Sequence, residues 1–496
     1  MPAGLFARTF RLLPKGPVGT ASPCHRGLHR LRFGFPSATH VASSTHASRA
    51  ATRPYSFIKL SKPWPGATSV LEPRFFSSNG TTQLLTTELP VLSPPAVGNW
   101  LLLSSALVIA VIVVGGVTRL TESGLSITEW RPITGVLPPL SRAEWESEFD
   151  KYKATPEFRL MNSRMELVNF KSIYYMEWGH RVLGRTVGLA FVLPLAYFAA
   201  RGRLARTLRT PLLGMAALLG AQGALGWYMV RSGLEEPVAS GGGADNAVPR
   251  VSQYRLAAHL GTALALYAGM FAAALSVTAD WRFARDGTWG RLRDGRTWDG
   301  VLRNPLVRRF KTHAAIVTGL VFLTALSGAF VAGLDAGLVY NEFPLMGGRL
   351  APPLDELLSP SYADSDGGKG TWRNLFENPT TVQFDHRVLA MTTYLATALL
   401  FASTRRAAVR AALPPLAVRA TAAAFAMANV QAALGISTLL YLVPVPLAAT
   451  HQAGSVALLS VVLHVLLALR RPGAAARAWR QANLAREAAA KAKVTK

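Results

Sequence analysis

Cysteine is almost absent from this sequence, which has 496 residues and a single cysteine, Cys24. That residue lies in a segment that we predict below to be removed. The remaining chain would have no thiol for a disulfide, for a thiolate metal site or for a covalent Cys-x-x-Cys-His heme attachment. Acidic residues are also scarce, since 27 Asp and Glu stand against 53 Lys and Arg, a formal net charge of +26.

Charged residues of either sign make up only 16% of the chain, whereas half of the residues are hydrophobic. A soluble protein with such a basic excess would suggest a nucleic-acid partner. Here the basic residues lie in an N-terminal extension and in short loops between apolar runs. This distribution is typical of a polytopic membrane protein, so we expect a lipid bilayer and no nucleic acid as the partner.

The N-terminal extension contains no acidic residue before Glu72 and is rich in Arg, Ser, His and Pro, without a long apolar core. This composition predicts a mitochondrial transit peptide rather than a secretory signal. Arg74-Phe75-Phe76-Ser77-Ser78 resembles a cleavage site, with Arg53-Pro54-Tyr55-Ser56 as an alternative. A disordered basic tail is the other interpretation. Removal of residues 1–76 would take four of the ten histidines and leave six.

Apolar stretches of about 20 residues, the length that crosses a bilayer, predict an all-α fold with eight transmembrane helices. The predicted spans are Trp100–Val117, His180–Ala200, Leu212–Val230, Tyr254–Ala279, Ala314–Gly333, Phe384–Ser403, Thr421–Leu442 and Leu447–Leu469. The loops after spans two, four and six and the tail after span eight are rich in arginine, and the alternate loops carry the acidic residues. The positive-inside rule therefore places both termini and the basic loops in the matrix.

The phrase His-Arg-Val-Leu occurs twice, at His180–Leu183 and at His386–Leu389. Gln222-Gly223-Ala224-Leu225-Gly226 also matches Gln431-Ala432-Ala433-Leu434-Gly435, and Gly115 aligns with Gly328. These matches predict an internal duplication into two four-helix bundles. Because each unit has an even number of spans, the two copies should have the same orientation in the membrane.

Each predicted half has two histidines near the intermembrane ends of its inward-running helices: His180 and His259, then His386 and His451. Ionisable residues at membrane depth are costly and usually functional. Two imidazoles that face each other across a bundle core suit the axial positions of heme iron, and zinc would lack the further ligands for a tetrahedron. The pattern predicts two hemes, with Arg181 and Arg387 as candidate contacts of the propionates or of lipid headgroups.

The two predicted sites differ three residues before the first histidine, where Glu177 corresponds to Gln383. Positions i and i+3 share a helix face, so a carboxyl would lie beside the first heme and could handle protons there. We therefore interpret the first site as the reacting one and the second as an electron-handling or structural one. An acid in solvent at a helix N-terminus is the alternative. His313 and His464 are interpreted as structural.

Several motifs resemble the heme A synthase family, in particular its mitochondrial branch. The resemblance covers residues 99–469 and includes Gly115-Gly116-Val117-Thr118-Arg119, Trp130-Arg131-Pro132, Gly135-Val136-Leu137-Pro138-Pro139, Glu177-Trp178-Gly179-His180-Arg181, and Pro444-x-Pro446 before His451-Gln452-Ala453-Gly454. It implies an oxidoreductase that converts the C8 methyl group of heme O, by successive hydroxylations, to the formyl group of heme A for cytochrome c oxidase.

The resemblance also implies roles for individual residues. His180 and His259 would ligate the substrate heme, His386 and His451 would ligate the iron of a resident heme b, and Glu177 would be the catalytic carboxylate. The arginine contacts are predicted from sequence position and not from the resemblance. Arg119 and Arg131, in the segment after the first span, are candidate contacts of the substrate's propionates, with plain loop packing as the alternative. Arg181 and Arg387 are the candidate contacts of the substrate and of the resident heme. A ferredoxin with its reductase would donate electrons. Heme O synthase, cytochrome oxidase assembly factors and a second copy of the chain are further candidate partners.

The predicted organisation follows from these features. A transit peptide (1–76) and a matrix linker (77–98) precede the first half with the substrate site (99–279). A basic matrix linker (280–312) leads to the second half with the resident heme (313–470) and a basic matrix tail (471–496). The segment 119–176 is predicted to form a cap above the first site, and 342–377 to be mostly unstructured. The rival functions are a diheme b-type electron-transfer protein in the mitochondrial inner membrane and a transporter with repeated halves.

Overall fold

A computed structural model describes residues 71–76, 83–131, 134–235, 250–292, 294–362 and 370–494. Most of the predicted transit peptide, residues 1–70, lies outside the described residues. Two strands, β1 (Leu71–Phe76) and β2 (Gln83–Glu88), pair antiparallel with Leu71 opposite Glu88 and Phe76 opposite Gln83. The all-α prediction missed this pair, and β2 lies within the predicted linker. Aromatic and β-branched residues such as Phe75 and Thr86 favour strands even in a short polar segment.

All other regular structure in the described residues is helical. The α-helices are α1 (Pro95–Leu120), α2 (Arg142–Lys153), α3 (Pro156–Leu160), α4 (Leu167–Ala200), α5 (Arg206–Glu235), α6 (Gln253–Asp286), α7 (Trp298–Arg303), α8 (Pro305–Gly333), α9 (Leu354–Leu357), α10 (Asn374–Glu377), α11 (Pro379–Ser403), α12 (Ala407–Ala412), α13 (Pro415–Leu440), α14 (Val445–Ala468) and α15 (Ala474–Val494). Short 3₁₀ turns occupy Thr134–Val136, Ala336–Leu338, Pro360–Tyr362 and Thr371–Arg373.

Seven helices in the described part of the chain are long and apolar enough to cross a membrane: α1, α4, α5, α6, α8, α13 and α14. Their length and composition support a multi-pass membrane protein. The one remaining predicted span, Phe384–Ser403, corresponds to α11, which is 25 residues long but is not among the seven. Its apolar run is interrupted by Asp385, His386, Arg387 and several threonines. The crossing by α11 therefore stays a prediction.

The long helices begin where the sequence supplies caps. Asn304 and Asn378 each accept a hydrogen bond from the backbone two residues on, at Leu306 and Thr380, and each is followed by a proline. Such an asparagine satisfies one free N–H of the first turn, and proline at the first helical position removes another. α8 and α11 therefore start with the same Asn-Pro signal.

The long helices pack in two sets. In the first set α1 contacts α4 and α6, and α5 contacts α4 and α6. In the second set α8 contacts α11 and α14, and α13 contacts α11 and α14. The sets meet through α1 with α14, α6 with α8, and α6 with α14. One cluster of buried apolar side chains runs through both sets, and Leu101, Tyr267, Val321 and Val462 belong to it.

The segment between α1 and α4 is ordered over most of its length. Trp145, Phe149 and Tyr152 of α2 bury against Phe170 and Tyr174 at the start of α4. The segment between α8 and α11 was predicted to be mostly unstructured, and that is wrong for its described residues. Short helices and turns form there, because buried amide and hydroxyl groups tie them together. Asn378 donates to the Glu356 carbonyl at 2.7 Å, and Thr381 donates to the Leu357 carbonyl at 2.6 Å.

Candidate functional site: two histidine pairs

The four predicted histidines lie on four different long helices. His259, His386 and His451 lie about two turns into α6, α11 and α14. His180 lies about four turns into α4, which begins well before its predicted span. His180 and His259 are close enough to interact electrostatically, and so are His386 and His451. We call these the first and the second histidine pair.

Each histidine ring lies against a glycine of a neighbouring helix. A Cβ atom at Gly115 of α1 would lie 2.8 Å from Cε1 of His180, and one at Gly435 of α13 would lie 2.8 Å from Cε1 of His451. At Gly226 of α5 and Gly328 of α8 the distances to His259 and His386 would be 3.7 and 3.5 Å. Sequence analysis found these glycines only as repeat markers. Their alignment at 115/328 and 226/435 was the signal that could have identified them as site residues.

The two pairs differ in the surroundings of the Nδ1 atoms. In the second pair, Nδ1 of His386 lies 2.7 Å from the Ser327 hydroxyl, and Nδ1 of His451 lies 3.2 Å from Nε2 of Gln431. In the first pair, the Nδ1 atoms of His180 and His259 are buried without a hydrogen-bond partner. Gln222, which aligns with Gln431, donates to the His259 carbonyl as Gln431 does to the His451 carbonyl. Its second hydrogen bond goes to the Thr262 hydroxyl and not to a histidine ring.

Glu177 is buried, with 3% of its surface exposed, and accepts four hydrogen bonds. Its Oε2 atom accepts from the Ser126 hydroxyl at 2.7 Å and from the Ile127 backbone N–H at 2.8 Å. Its Oε1 atom accepts from Nε and Nη2 of Arg181 at 3.1 and 2.6 Å. Arg181 also donates to the Ile127 and Glu129 carbonyls. The ion pair of Glu177 and Arg181 therefore fixes the segment after α1 against α4.

Gln383 and Arg387 form the corresponding arrangement on α11. The Gln383 amide donates to the Ala336 and Tyr340 carbonyls and accepts from Arg387 at 3.3 Å. Arg387 donates to the Tyr340 and Leu345 carbonyls. In both sets, a polar side chain three residues before the first histidine thus holds the segment that follows the first helix of the set, α1 or α8. Of the two side chains only Glu177 can ionise.

The other two predicted arginines lie at different places. Arg119 donates to Asp335 at 3.0 Å and to the Gly333 carbonyl, so it bridges the ends of α1 and α8, and its Nε atom is buried without a partner. Arg131 is exposed and pairs with Glu129. The structure does not bring Arg131 into the buried cluster around Glu177, and the propionate contacts of all four arginines stay predictions.

Sequence analysis missed Glu157 in α3 as part of this region. The side chain is 4% exposed, and its Oε2 atom has no hydrogen-bond partner. Burial raises the pKa of Glu157 to about 8, and the nearby carboxylates of Glu177 and Glu122 act in the same direction. It is a buried acid close to the predicted catalytic carboxylate.

A cleft of about 280 Å³ opens beside Arg181. Its other lining residues come from the segment after α1 and from the end of α5, and include Thr128, Trp130, Trp227 and Leu234. The described residues contain no group of three or more His, Cys, Asp and Glu that could hold a bare metal ion. His313 is exposed near the start of α8, and His464 is partly buried in α14.

The chain is similar to a family of cytochrome oxidase assembly proteins and to several heme A synthases. The family model COX15-CtaA, described as "Cytochrome oxidase assembly protein", matches residues 98–463. Heme A synthase COX15 of Bos taurus is 49% identical over 375 residues, 76% of this chain and 82% of the relative. The heme A synthase of Nitrosospira multiformis is 44% identical and is covered over 93% of its length. A heme A synthase-mitochondrial ferredoxin fusion protein of Schizosaccharomyces pombe is 46% identical over 74% of this chain, which spans 59% of the fusion protein's length.

Proposed function

The chain belongs to the COX15-CtaA family of cytochrome oxidase assembly proteins, and on that premise we propose that it is a heme A synthase. Its substrate would be heme O, whose C8 methyl group is oxidised by successive hydroxylations to the formyl group of heme A. The observation that carries the proposal is that both histidine pairs have the same arrangement, in which each ring lies against a glycine of a neighbouring helix. A buried carboxyl, Glu177, lies near the first pair only.

The residues present fit two heme groups. Two imidazoles interact within each pair, and glycines leave space at every ring. Imidazole nitrogen is a common axial ligand of heme iron. His180 and His259 would hold the substrate, while His386 and His451 would hold a resident heme b. That resident group would supply one-electron chemistry when bound.

Glu177 is proposed to serve as the acid or base of the first site. A carboxyl that takes up or releases protons near a reacting group contributes to the rate when its geometry is fixed. Ser126, Ile127 and Arg181 fix Glu177 through both of its oxygens. Arg181 also lines the neighbouring cleft, so its guanidinium could hold a propionate or the cleft could receive another edge of the substrate.

The two helix sets support an internal duplication. α1, α4, α5 and α6 contact one another as α8, α11, α13 and α14 do, and the contacts between the sets are also reciprocal, α1 with α14 and α6 with α8. We propose eight spans as two four-helix halves of the same orientation, in the mitochondrial inner membrane with both termini in the matrix.

A ferredoxin is proposed as the electron donor. The Schizosaccharomyces pombe relative is named as a fusion of heme A synthase with mitochondrial ferredoxin, so the two activities are joined in one polypeptide there. The predicted matrix loops of this chain are basic. Positive charge on a docking surface speeds association with an acidic protein.

A diheme electron-transfer protein is the second candidate function. It is favoured by one observation, namely that Glu177 holds a loop in the same way as the non-ionisable Gln383. If Glu177 had no chemical role, its only task would be to hold this loop, as Gln383 does.

Replacement of Glu177 by Gln separates the two functions. We expect heme A formation to fall by about a hundredfold or more, the range for loss of a general acid or base, with heme still bound and heme O accumulating. Heme extracts of cells that depend on this protein would be separated by chromatography. Glu157→Gln is the control, because that buried acid is mostly protonated at neutral pH and an amide resembles it. Unchanged heme A in Glu177→Gln would favour the electron-transfer protein.

A further inference from the structure

The first helix of each set contacts the histidine helix next to it, and beside the histidine this contact has side-chain hydrogen bonds only in the second set. In the second set, the Thr324 and Thr393 hydroxyls lie 2.7 Å apart, and Ser327 lies 2.7 Å from Nδ1 of His386. The repeat aligns these three residues with Val111, Val187 and Val114 in the first set. Valine offers no hydrogen bond, so His180 has no counterpart of the Ser327 contact.

The surroundings of Ser327 suit a His386 that ligates iron through Nε2. A serine hydroxyl has one proton, and the Thr324 carbonyl, 2.8 Å from the Ser327 oxygen, can accept it. The Ser327 oxygen can then accept from Nδ1 of His386, 2.7 Å away. A neutral imidazole with its proton on Nδ1 has its lone pair on Nε2, the atom that would bind iron. Ser327 can therefore hold His386 in the tautomer and ring orientation of a ligand.

Gln431 makes a different contact with His451. Its Nε2 atom donates to the His451 carbonyl at 2.9 Å, and a carbonyl can only accept. The atom that lies 3.2 Å from Nδ1 of His451 is therefore the amide nitrogen, which can donate to Nδ1 but cannot accept a proton from it. Of the two contacts, only that of Ser327 suits a histidine that carries its proton on Nδ1.

We propose that Ser327 is a positioning residue that makes the second histidine pair the tighter of the two heme sites. A hydrogen bond accepted from the far nitrogen of a ligating histidine fixes the ring and makes it a stronger donor. This inference rests on the proposed function, in which the second pair holds a resident heme. It adds the physical reason why one of two similar sites keeps its heme.

The first pair then has the complementary property. Nδ1 of His180 is buried without a partner, and Val114 stands where Ser327 stands in the repeat. A ring that is not fixed at its far nitrogen is a weaker ligand. A site that must admit heme O and release heme A needs a ligand of that kind.

The test is a reciprocal exchange in the full-length protein, purified in detergent with its heme. Ser327→Val introduces the valine of the first set, Ser327→Thr keeps the hydroxyl, and Val114→Ser gives the first set the missing acceptor. The measurements are the rate of heme b transfer to apomyoglobin and the midpoint potential of the bound heme. Thr318→Val serves as the control. It removes a hydroxyl from the same helix, α8, and this hydroxyl donates to the Ala314 carbonyl one turn earlier.

We expect Ser327→Val to bind heme b about 10–100-fold more weakly, the usual effect of removing such a partner, and to raise its midpoint potential. Ser327→Thr and Thr318→Val should keep the original values. Val114→Ser should retain heme at the first pair and slow its release. The inference would be overturned if Ser327→Val left the transfer rate and the midpoint potential unchanged. If Ser327→Val did not fold, unchanged heme release from Val114→Ser would overturn it. Retention of heme b by His386→Ala would instead overturn the proposed heme sites themselves.

Discussion

At the level of single residues, the buried carboxyl of Glu157 has the clearest consequence for pH dependence. Its pKa is raised to about 8 in the folded protein, chiefly by burial and then by the carboxylates of Glu177 and Glu122. In the unfolded chain the same group would titrate near 4.5. The folded state therefore binds one more proton between these values, and the free energy of unfolding must fall as the pH rises through them.

We expect Glu157→Gln to remove this loss of stability. By linkage the wild-type penalty reaches at most roughly 5 kcal/mol above pH 8 and vanishes below about pH 4.5. The variant should thus melt at a higher temperature than the wild type at pH 9 and at nearly the same temperature at pH 5. Thermal unfolding of the detergent-solubilised protein from pH 5 to 9 measures both.

The matched comparison is Glu146→Gln, at an exposed carboxyl of α2 that pairs with Arg142. Exposed ion pairs contribute about 0–1 kcal/mol, so this change should leave the pH profile close to that of the wild type. A Glu157→Gln profile that runs parallel to the wild type would show that Glu157 is not the group responsible.

At the level of helices, the glycines beside the histidines decide whether a planar ligand and its imidazoles fit. Gly435→Ala would place a methyl group 2.8 Å from Cε1 of His451, closer than carbon atoms can approach without displacement. We expect the variant to lose most of its resident heme b while α13 still forms, because alanine favours helices. Heme content by pyridine hemochrome and helicity by circular dichroism measure the two effects.

Gly223→Ala provides the control for that change. A Cβ atom at Gly223 meets nothing within 4 Å, and the repeat already has alanine at the matching position, Ala432. The control should keep its heme and gain about 0.5–1 kcal/mol of helix stability. Equal heme content in the two variants would contradict the role given to Gly435.

The sequence predicts the helices better than the loops between them. Apolar runs locate seven long apolar helices because a membrane helix must satisfy its own backbone and face lipid. The same rule gives no information on the segment between α8 and α11, where Asn374, Asn378 and Thr381 act through side-chain contacts with distant carbonyls. Those contacts depend on tertiary structure and have no sequence period.

For the site, the repeat identified the four histidines, Glu177 and Gln383 because each has a partner at the matching position of the other half. It could not show that Arg181 is engaged by Glu177 or that Arg119 bridges to Asp335. Long arginine side chains can reach many acceptors, and only packing selects among them. Glu157 was missed because it lies in α3, outside the sequence matches that defined the repeat, and its burial becomes visible only in the folded chain.

At the level of the whole molecule, the contacts between the two sets lie close to the histidines. Gln452, next to His451 on α14, reaches α1 at Gly116, where a Cβ atom would lie 1.7 Å from its Oε1. Asp335, after α8, pairs with Arg119 and with Arg250 before α6. Both contacts join elements of different sets, so the relative position of the two histidine pairs is fixed by packing as well as by the connecting chain.

The number of membrane crossings can be measured with single cysteines. Since Cys24 is the only cysteine, Cys24→Ser gives a background without thiols. Leu350 lies between α8 and α11 and is 79% exposed, and Arg406 lies exposed after α11. If α11 crosses the membrane, the two positions are on opposite sides.

We expect Leu350→Cys to react with an impermeant maleimide in mitoplasts, and Arg406→Cys to react only after the inner membrane is permeabilised. Lys491→Cys in α15 should behave like Arg406→Cys, because the tail is predicted to lie in the matrix. Labelling of Leu350→Cys and Arg406→Cys from the same side would mean that only seven helices cross. His386 would then lie on a helix outside the membrane, and the second heme site could not be equivalent to the first. The topology of α11 and the pairing of the hemes are therefore one question.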